Sequence, residues 1–292
     1  MMSDPIAAAL GHALGTSVAD GGTPVGGGSI HRAFEYRTER GPVFVKVCAA
    51  ENAAMLAAEA AGLRELSSAK ALLVPEVLAL GKLEDRAFLC LEWLDLVEAT
   101  PIANTRLGER LAALHRITAE EFGWHQDNFI GTTPQRNRRH KQWSEFYRIE
   151  RLQPQLDLAA TRGADARTID DGRKLCESID AFFASYQPMP SLLHGDLWGG
   201  NWGAVGIGKP VLFDPAVYYG DREVDIAMTR LFGGFSPEFH AAYDATWPLD
   251  AGAAVRAQLY NLYHVLNHFN MFGGSYLSQA RSMIRALLAE VC

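Results

Sequence analysis

Cysteine, positive charge and long apolar runs are all in short supply in this chain. Four cysteines occur in 292 residues: Cys48, Cys90, Cys176 and Cys292. They are scattered and form no C-x-x-C pair, so free thiols in a reducing cytosol are expected. Lys and Arg number 27 against 34 Asp and Glu, a formal net charge of −7. A dedicated nucleic-acid binder is normally basic, so that class is set aside. No stretch reaches the ~18 consecutive apolar residues of a membrane-spanning helix. The opening MMSDPIAAALGHALG lacks the basic region of a secretory signal, and none is expected. Internal repeats and low-complexity tracts are missing too. What remains is a chain 48% hydrophobic, enough for one large domain or two lobes with a sizeable core.

Periodicity divides the chain near residue 94. Residues 3–19 read as a short amphipathic helix, followed by a glycine cluster at 21–28. IHRAFEYR (30–37) and PVFVKV (42–47) read as a hairpin turning at Glu39-Arg40-Gly41. Residues 51–68 are rich in Ala, Leu and Glu at helical spacing, and 74–80 and 87–91 read as strands. This makes a β-rich part at 1–94 with one helix, ending in Glu92-Trp93-Leu94 as a connector. Residues 95–292 are mainly helical, with helices expected over 107–116, 142–161, 170–186, 222–232, 236–245, 251–271 and 275–290. A strand hairpin at 192–214 interrupts them.

That hairpin, from His194 to Asp214, carries the densest chemistry: HGDLWGGNWGAVGIGKPVLFD. Asp196 is followed five residues later by Asn201, and Asp214 closes a Val-Leu-Phe strand. Kinases show the same order: a catalytic-loop Asp, an Asn five residues on, and a strand-end Asp. The spacing suits the reaction. One carboxylate, Asp196, accepts or orients the proton of an attacking hydroxyl, while Asn201 and Asp214 hold Mg²⁺ against the phosphates of ATP.

Other residues join this pattern. Lys46 sits in an apolar strand, where it is costly to bury unpaired, and is expected to contact nucleotide phosphates. Its helix partner is expected to be Glu59, with Glu51 and Glu65 as competitors. The turn Gly26-Gly27-Gly28-Ser29 can bring backbone amides close to phosphate. His194 reads as a structural hydrogen-bonding residue, and Asp225 as a buried anchor for the catalytic-loop backbone. Trp198, between Asp196 and Asn201, reads as a lining of the acceptor site. The basic run Arg136, Arg138, Arg139, His140 and Lys141 reads as a solvated loop or helix start.

Together these blocks resemble the fructosamine-3-kinase (ketosamine-3-kinase) family, a relative of the aminoglycoside and choline kinases. The resemblance spans nearly the whole chain: GGGSIHRAF, PVFVKV, EAAGL, FGWHQDNFIG, TPQRN, HGDLWGGNWG, FDPAVYYGDREVDIAM and NLYHVLNHFNMFGGSY. It implies an α+β, protein-kinase-like bilobal fold, with a nucleotide-binding lobe at 1–94 and a catalytic and acceptor-binding lobe at 95–292. It implies ATP and Mg²⁺ as cofactors, and phosphorylation of the 3-hydroxyl of a small-molecule or protein-bound ketosamine, which leads to deglycation. By resemblance, Gly27, Gly28, Ser29, Lys46 and Glu59 serve the nucleotide, and Glu92 and Leu94 meet the adenine by backbone contact. Asp196 becomes the base, Asn201 and Asp214 the metal ligands, and Trp198 a wall for the sugar. Ser29 stands where some members carry a redox-active cysteine, so a disulfide-switched dimer is not expected and a cytoplasmic monomer is favoured. Arg138 and Arg139 stand where the family tends to have an aromatic residue. The alternatives are an aminoglycoside- or choline-type kinase and a non-catalytic pseudokinase that acts as a binding module. A choline cage could draw on Trp198, Tyr218 and Tyr219. The sugar, whether fructosamine, ribulosamine or erythrulosamine, is left open.

Overall fold

The computed structural model describes residues 4–26 and 32–291. In chain order its elements begin with α1 (Pro5–Leu14), β1 (Thr23–Val25), β2 (Arg32–Thr38), β3 (Gly41–Ala49), α2 (Ala53–Ser68), β4 (Val77–Lys82), β5 (Arg86–Glu92) and β6 (Leu96–Val97). They continue with α3 (Pro101–His115), β7 (Asn128–Ile130), β8 (Thr133–Gln135), α4 (Trp143–Phe146), α5 (Gln153–Thr161), α6 (Ala166–Glu177) and β9 (Ser191–Leu193). The last are β10 (Trp202–Val205), β11 (Lys209–Leu212), β12 (Tyr218–Gly220), α7 (Glu223–Leu231), α8 (Pro237–Thr246), α9 (Ala253–Phe272) and α10 (Tyr276–Val291). The chain forms two compact units, one of residues 1–103 with 200–215, the other of 104–199 with 216–292.

The first unit is built on an antiparallel sheet in the order β1-β2-β3-β5-β4. Alternation along β3 separates two faces. Val43 and Val45 pack with Ile6, Leu10, Tyr36, Phe88 and Cys90, so α1 covers that side. Lys46 lies on the opposite side, and α2 packs against β3, β4 and β5. Helix α1 starts where Asp4 accepts from the Ile6 amide, has Pro5 in its first turn, and stops at Gly15 in the left-handed region. Strand β4 begins at Val77 rather than Val74, because Pro75 has no N–H to give to a ladder. The β10–β11 hairpin pairs with β6, and Leu212 N donates to Leu73 O. Those bonds gather residues 200–215 with the N-terminal residues, although they lie far along the chain.

The second unit is mainly helical. Helix α9 is its spine, packed against α5, α7 and α10. The helical stretch from Trp143 to Thr161 is interrupted by a π-helical turn at Tyr147–Leu152, which carries the buried Glu150 and Arg151. Two short ribbons, β7–β8 and β9–β12, complete the unit. The second ribbon pairs Leu193 with Tyr218, and so fixes the strand that leads into His194.

Candidate active site

In the first unit, β3 and α2 bring Lys46 and Glu59 together. Lys46 Nζ lies 2.7 Å from Glu59 Oε1 and 2.5 Å from Asp214 Oδ1. Glu51, one of the competing partners, is exposed. The ammonium is buried, and burial alone would push its pKa down. The two carboxylates win, and it is held above the usual lysine range. Burial pushes Glu59 up, and the Asp214 charge adds to this against the pull of Lys46. One ammonium therefore serves two carboxylates.

Asp214 has a left-handed backbone, φ +58°, which Asp tolerates better than most side chains. Its carbonyl accepts from Asn201 Nδ2 at 3.4 Å, and Phe213 N donates to Asn201 O at 3.1 Å. The β10–β11 hairpin thus delivers Asn201 and Asp214 to one end. Among the described residues no group of three or more His, Cys, Asp or Glu forms a cage for a metal. An amide and one carboxylate, both oxygen donors, suit a hard cation that keeps water and takes substrate phosphates as ligands, as Mg²⁺ does.

In the second unit the catalytic-loop candidate is held by its backbone. Asp225, in the first turn of α7, accepts from His194 N at 2.7 Å and from Gly195 N at 2.9 Å. His115 Nε2 also reaches Asp225, at 3.2 Å, while His115 Nδ1 meets the Tyr243 hydroxyl at 2.8 Å. Burial alone would raise the Asp225 carboxyl, but His115, His194 and the loop amides hold it below the ordinary range. Burial lowers His115, against the pull of Asp225. His194 Nδ1 accepts from Asp196 N at 3.3 Å, a structural use of the ring. Gly195 has φ +81°, and a Cβ there would overlap the Ala216 carbonyl oxygen, so only glycine fits. Trp198 is 40% exposed, high for an indole.

The other expected residues fare differently. Gly27, Gly28 and Ser29 lie outside the described residues. Glu92 ends β5, with its amide donating to Glu76 O at 2.9 Å, and Leu94 follows in the segment without regular structure. Two of the five residues of the basic run turn inward: Arg136 and His140 both pair with the buried Glu150, while Arg138, Arg139 and Lys141 are exposed. Sequence reasoning missed His115 and Tyr243 behind Asp225. It also missed the buried amides of Asn128, Gln135 and Asn137, although FGWHQDNFIG and TPQRN stood out as blocks.

The fold belongs to the protein-kinase-like class. A crystal structure of the aminoglycoside phosphotransferase APH(4)-Ia with ADP and hygromycin B superposes with a TM-score of 0.66 over 97% of this chain and 98% of that one, at 15% identity. A crystal structure from Haemophilus somnus 129PT assigned as a fructosamine-3-kinase superposes at 0.88, with 29% identity over 97% and 96% of the two chains. The family model for fructosamine kinase matches residues 2–290, and the chain belongs to that family. A "Probable ketoamine kinase" of Synechocystis sp. is 40% identical, over 90% of this chain and 89% of its own. The chloroplastic protein-ribulosamine 3-kinase of Oryza sativa subsp. indica is 37% identical, over 90% and 78%. No helix among the described residues is long and apolar enough to cross a membrane.

Proposed function

We propose that this protein is an ATP- and Mg²⁺-dependent kinase that phosphorylates the 3-hydroxyl of ketosamines, small or protein-bound, and so serves deglycation. The observation that carries the reading is the Lys46–Glu59–Asp214 cluster, in a chain of the fructosamine kinase family. Lys46, oriented by Glu59, holds nucleotide phosphates. Gly27, Gly28 and Ser29 offer backbone amides to the same phosphates, and Glu92 and Leu94 offer backbone groups to the adenine. Asn201 and Asp214 hold the metal, which supplies charge neutralisation at the transferring phosphoryl group when bound. Asp196 takes the proton of the attacking hydroxyl, and Trp198 forms a wall that orients the sugar. The free thiols at Cys48, Cys90 and Cys176 suit a reducing, cytoplasmic setting.

The test is ATP turnover with Mg²⁺ on a panel of fructosamine, ribulosamine and erythrulosamine adducts, free and peptide-borne, with aminoglycosides and choline as rival acceptors. Products are mapped by phosphorus NMR. A 3-phosphate from one or more of them is expected. Turnover only with aminoglycosides or choline, or no turnover with any acceptor, would remove the ketosamine reading.

A further inference from the structure

Two carbonyls just beyond Asp214 are held by buried amide side chains. Asn128 Nδ2 donates to Val217 O at 2.7 Å, and Gln135 Nε2 donates to Ala216 O at 3.2 Å. Gln135 Nε2 also donates to Asn128 Oδ1 at 2.8 Å, and Asn137 Nδ2 donates to the same oxygen at 3.0 Å. The chain of donors closes at both ends. The Tyr263 hydroxyl donates to Gln135 Oε1 at 2.7 Å, and Arg151 donates to Asn137 Oδ1 at 2.7 Å. Arg151 is wholly buried and lies 4.0 Å over the Tyr218 ring. Gln135, Asn128, Asn137 and Tyr263 are buried as well. Each amide has at least one end fixed by a neighbour that can act in only one sense: the Val217 and Ala216 carbonyls only accept, from Asn128 and Gln135, and Arg151 only donates, to Asn137.

The Ala216 carbonyl is where the catalytic loop rests. Ala216 N donates to His194 O at 2.9 Å, and Gly195 lies too close to Ala216 O to carry a Cβ. Satisfying one buried carbonyl needs only one donor. A linked set of five side chains does more, because in a dry interior such bonds reinforce one another and fix position.

We propose that Gln135 is a positioning residue for Asp196, acting through the Ala216 carbonyl on which the His194-Gly195 backbone rests. Asp225 holds the loop by its amides, and Gln135 sets the surface beneath it. The proposal rests on Asp196 serving the phosphoryl transfer. The Tyr263 hydroxyl holds the oxygen end of Gln135 and belongs to the same device.

Two variants test it. Gln135→Met keeps length and volume and removes both donors, and Tyr263→Phe removes the hydroxyl that holds the oxygen end of the amide. Turnover is measured per folded molecule, well below the melting temperature, together with KM for both substrates and hydrogen exchange at the Gly195 amide. The expected result for Gln135→Met is a fall in kcat of about 10-fold or more with KM changed less than about threefold, since small misplacements near the chemistry cost rate before binding. Tyr263→Phe should show a smaller fall in the same direction, and Gly195 exchange should quicken in both. Unchanged kcat per folded molecule in both variants would make Gln135 a folding residue only. A loss confined to the ketosamine KM would make it a contact residue, and would equally overturn the proposal. If Gln135→Met does not fold, Tyr263→Phe decides. An active Asp196→Asn enzyme, or a wild type with no kinase activity, would instead sink the underlying reading and this proposal with it.

Discussion

Asp214 and Lys70 are the non-glycine residues with positive φ among those described, and Asp214 also faces the buried Lys46. A strained backbone and a shared ammonium are costs the fold tolerates at one residue. Asp214→Asn separates the roles. Asn accepts the left-handed backbone and can still accept a hydrogen bond from Lys46, while the like charge beside Glu59 disappears. Its melting temperature should stay within a few degrees of wild type, and kcat should fall by at least about 10²-fold, the scale of a lost metal ligand. A fully active, Mg²⁺-dependent Asp214→Asn enzyme would contradict the metal assignment. Asp196→Asn should leave ATP affinity intact and lower kcat by at least about 10²-fold, as for a general base. Steady-state kinetics with calorimetric ATP binding checks both parts, and near-normal turnover would remove Asp196 from that role. The grouping of Lys46, Glu59, Asn201 and Asp214 was legible in the sequence because each lies at a fixed place in a short strand–helix or hairpin pattern. The links from Asn128 and Gln135 to Ala216 and Val217 were not, since they join segments some eighty residues apart that only the fold brings together.

Elements were legible where periodicity was strong, and shifted where a local rule intervened. The helix expected over 51–68 is α2, preceded by a tight turn at Ala50–Asn52. The helix expected over 142–161 is present, but its π-helical turn has no periodic signature, because it is set by what Glu150 and Arg151 reach. The helix expected from Leu107 begins at Pro101, a residue suited to a first turn. Close approach of α3 and α8 was equally hidden in the sequence. A Cβ on Gly108 would overlap Phe239 O and lie 2.9 Å from Tyr243 N, both backbone atoms that cannot swing aside. In an isolated helix Gly→Ala would stabilise by up to about 1 kcal/mol. Here the clash should dominate. Gly108→Ala is expected to destabilise by about 1–3 kcal/mol, the usual cost of overpacking, read as a lower urea midpoint with unchanged slope. A midpoint equal to or above wild type would mean that α3 and α8 can separate without loss.

For the whole molecule, the buried histidines tie stability to pH. His264, inside α9, is pushed down to about 3, by burial first, with His268 and Arg151 opposing its charge and Asp225 favouring it. His115 is lowered as well, by burial first, while Asp225 pulls it back and Arg222 opposes. An unfolded chain protonates these rings near pH ~6.5. The folded protein does not, so below that pH the unfolded state binds more protons and gains on the folded one. The contribution of each ring is fully present above pH ~6.5 and is lost as the pH falls toward its folded value, by up to about 1.4 kcal/mol per pH unit. Asp221 acts in the opposite sense. Burial raises it to about 6, so protonation on acidification relieves a cost. Glu59, also raised by burial, to about 7, acts in the same sense as Asp221, so the histidine share has to be read from a variant rather than from the net acid slope. His264→Gln isolates the share of one ring, because glutamine takes up no proton. Urea unfolding measured at a series of pH values should give His264→Gln a shallower acid slope than wild type, by up to about 1.4 kcal/mol per unit, whatever its stability at neutral pH. Parallel slopes for the two proteins would mean that His264 gains its proton as readily folded as unfolded, and that the interior around α9 is wetter than its burial indicates.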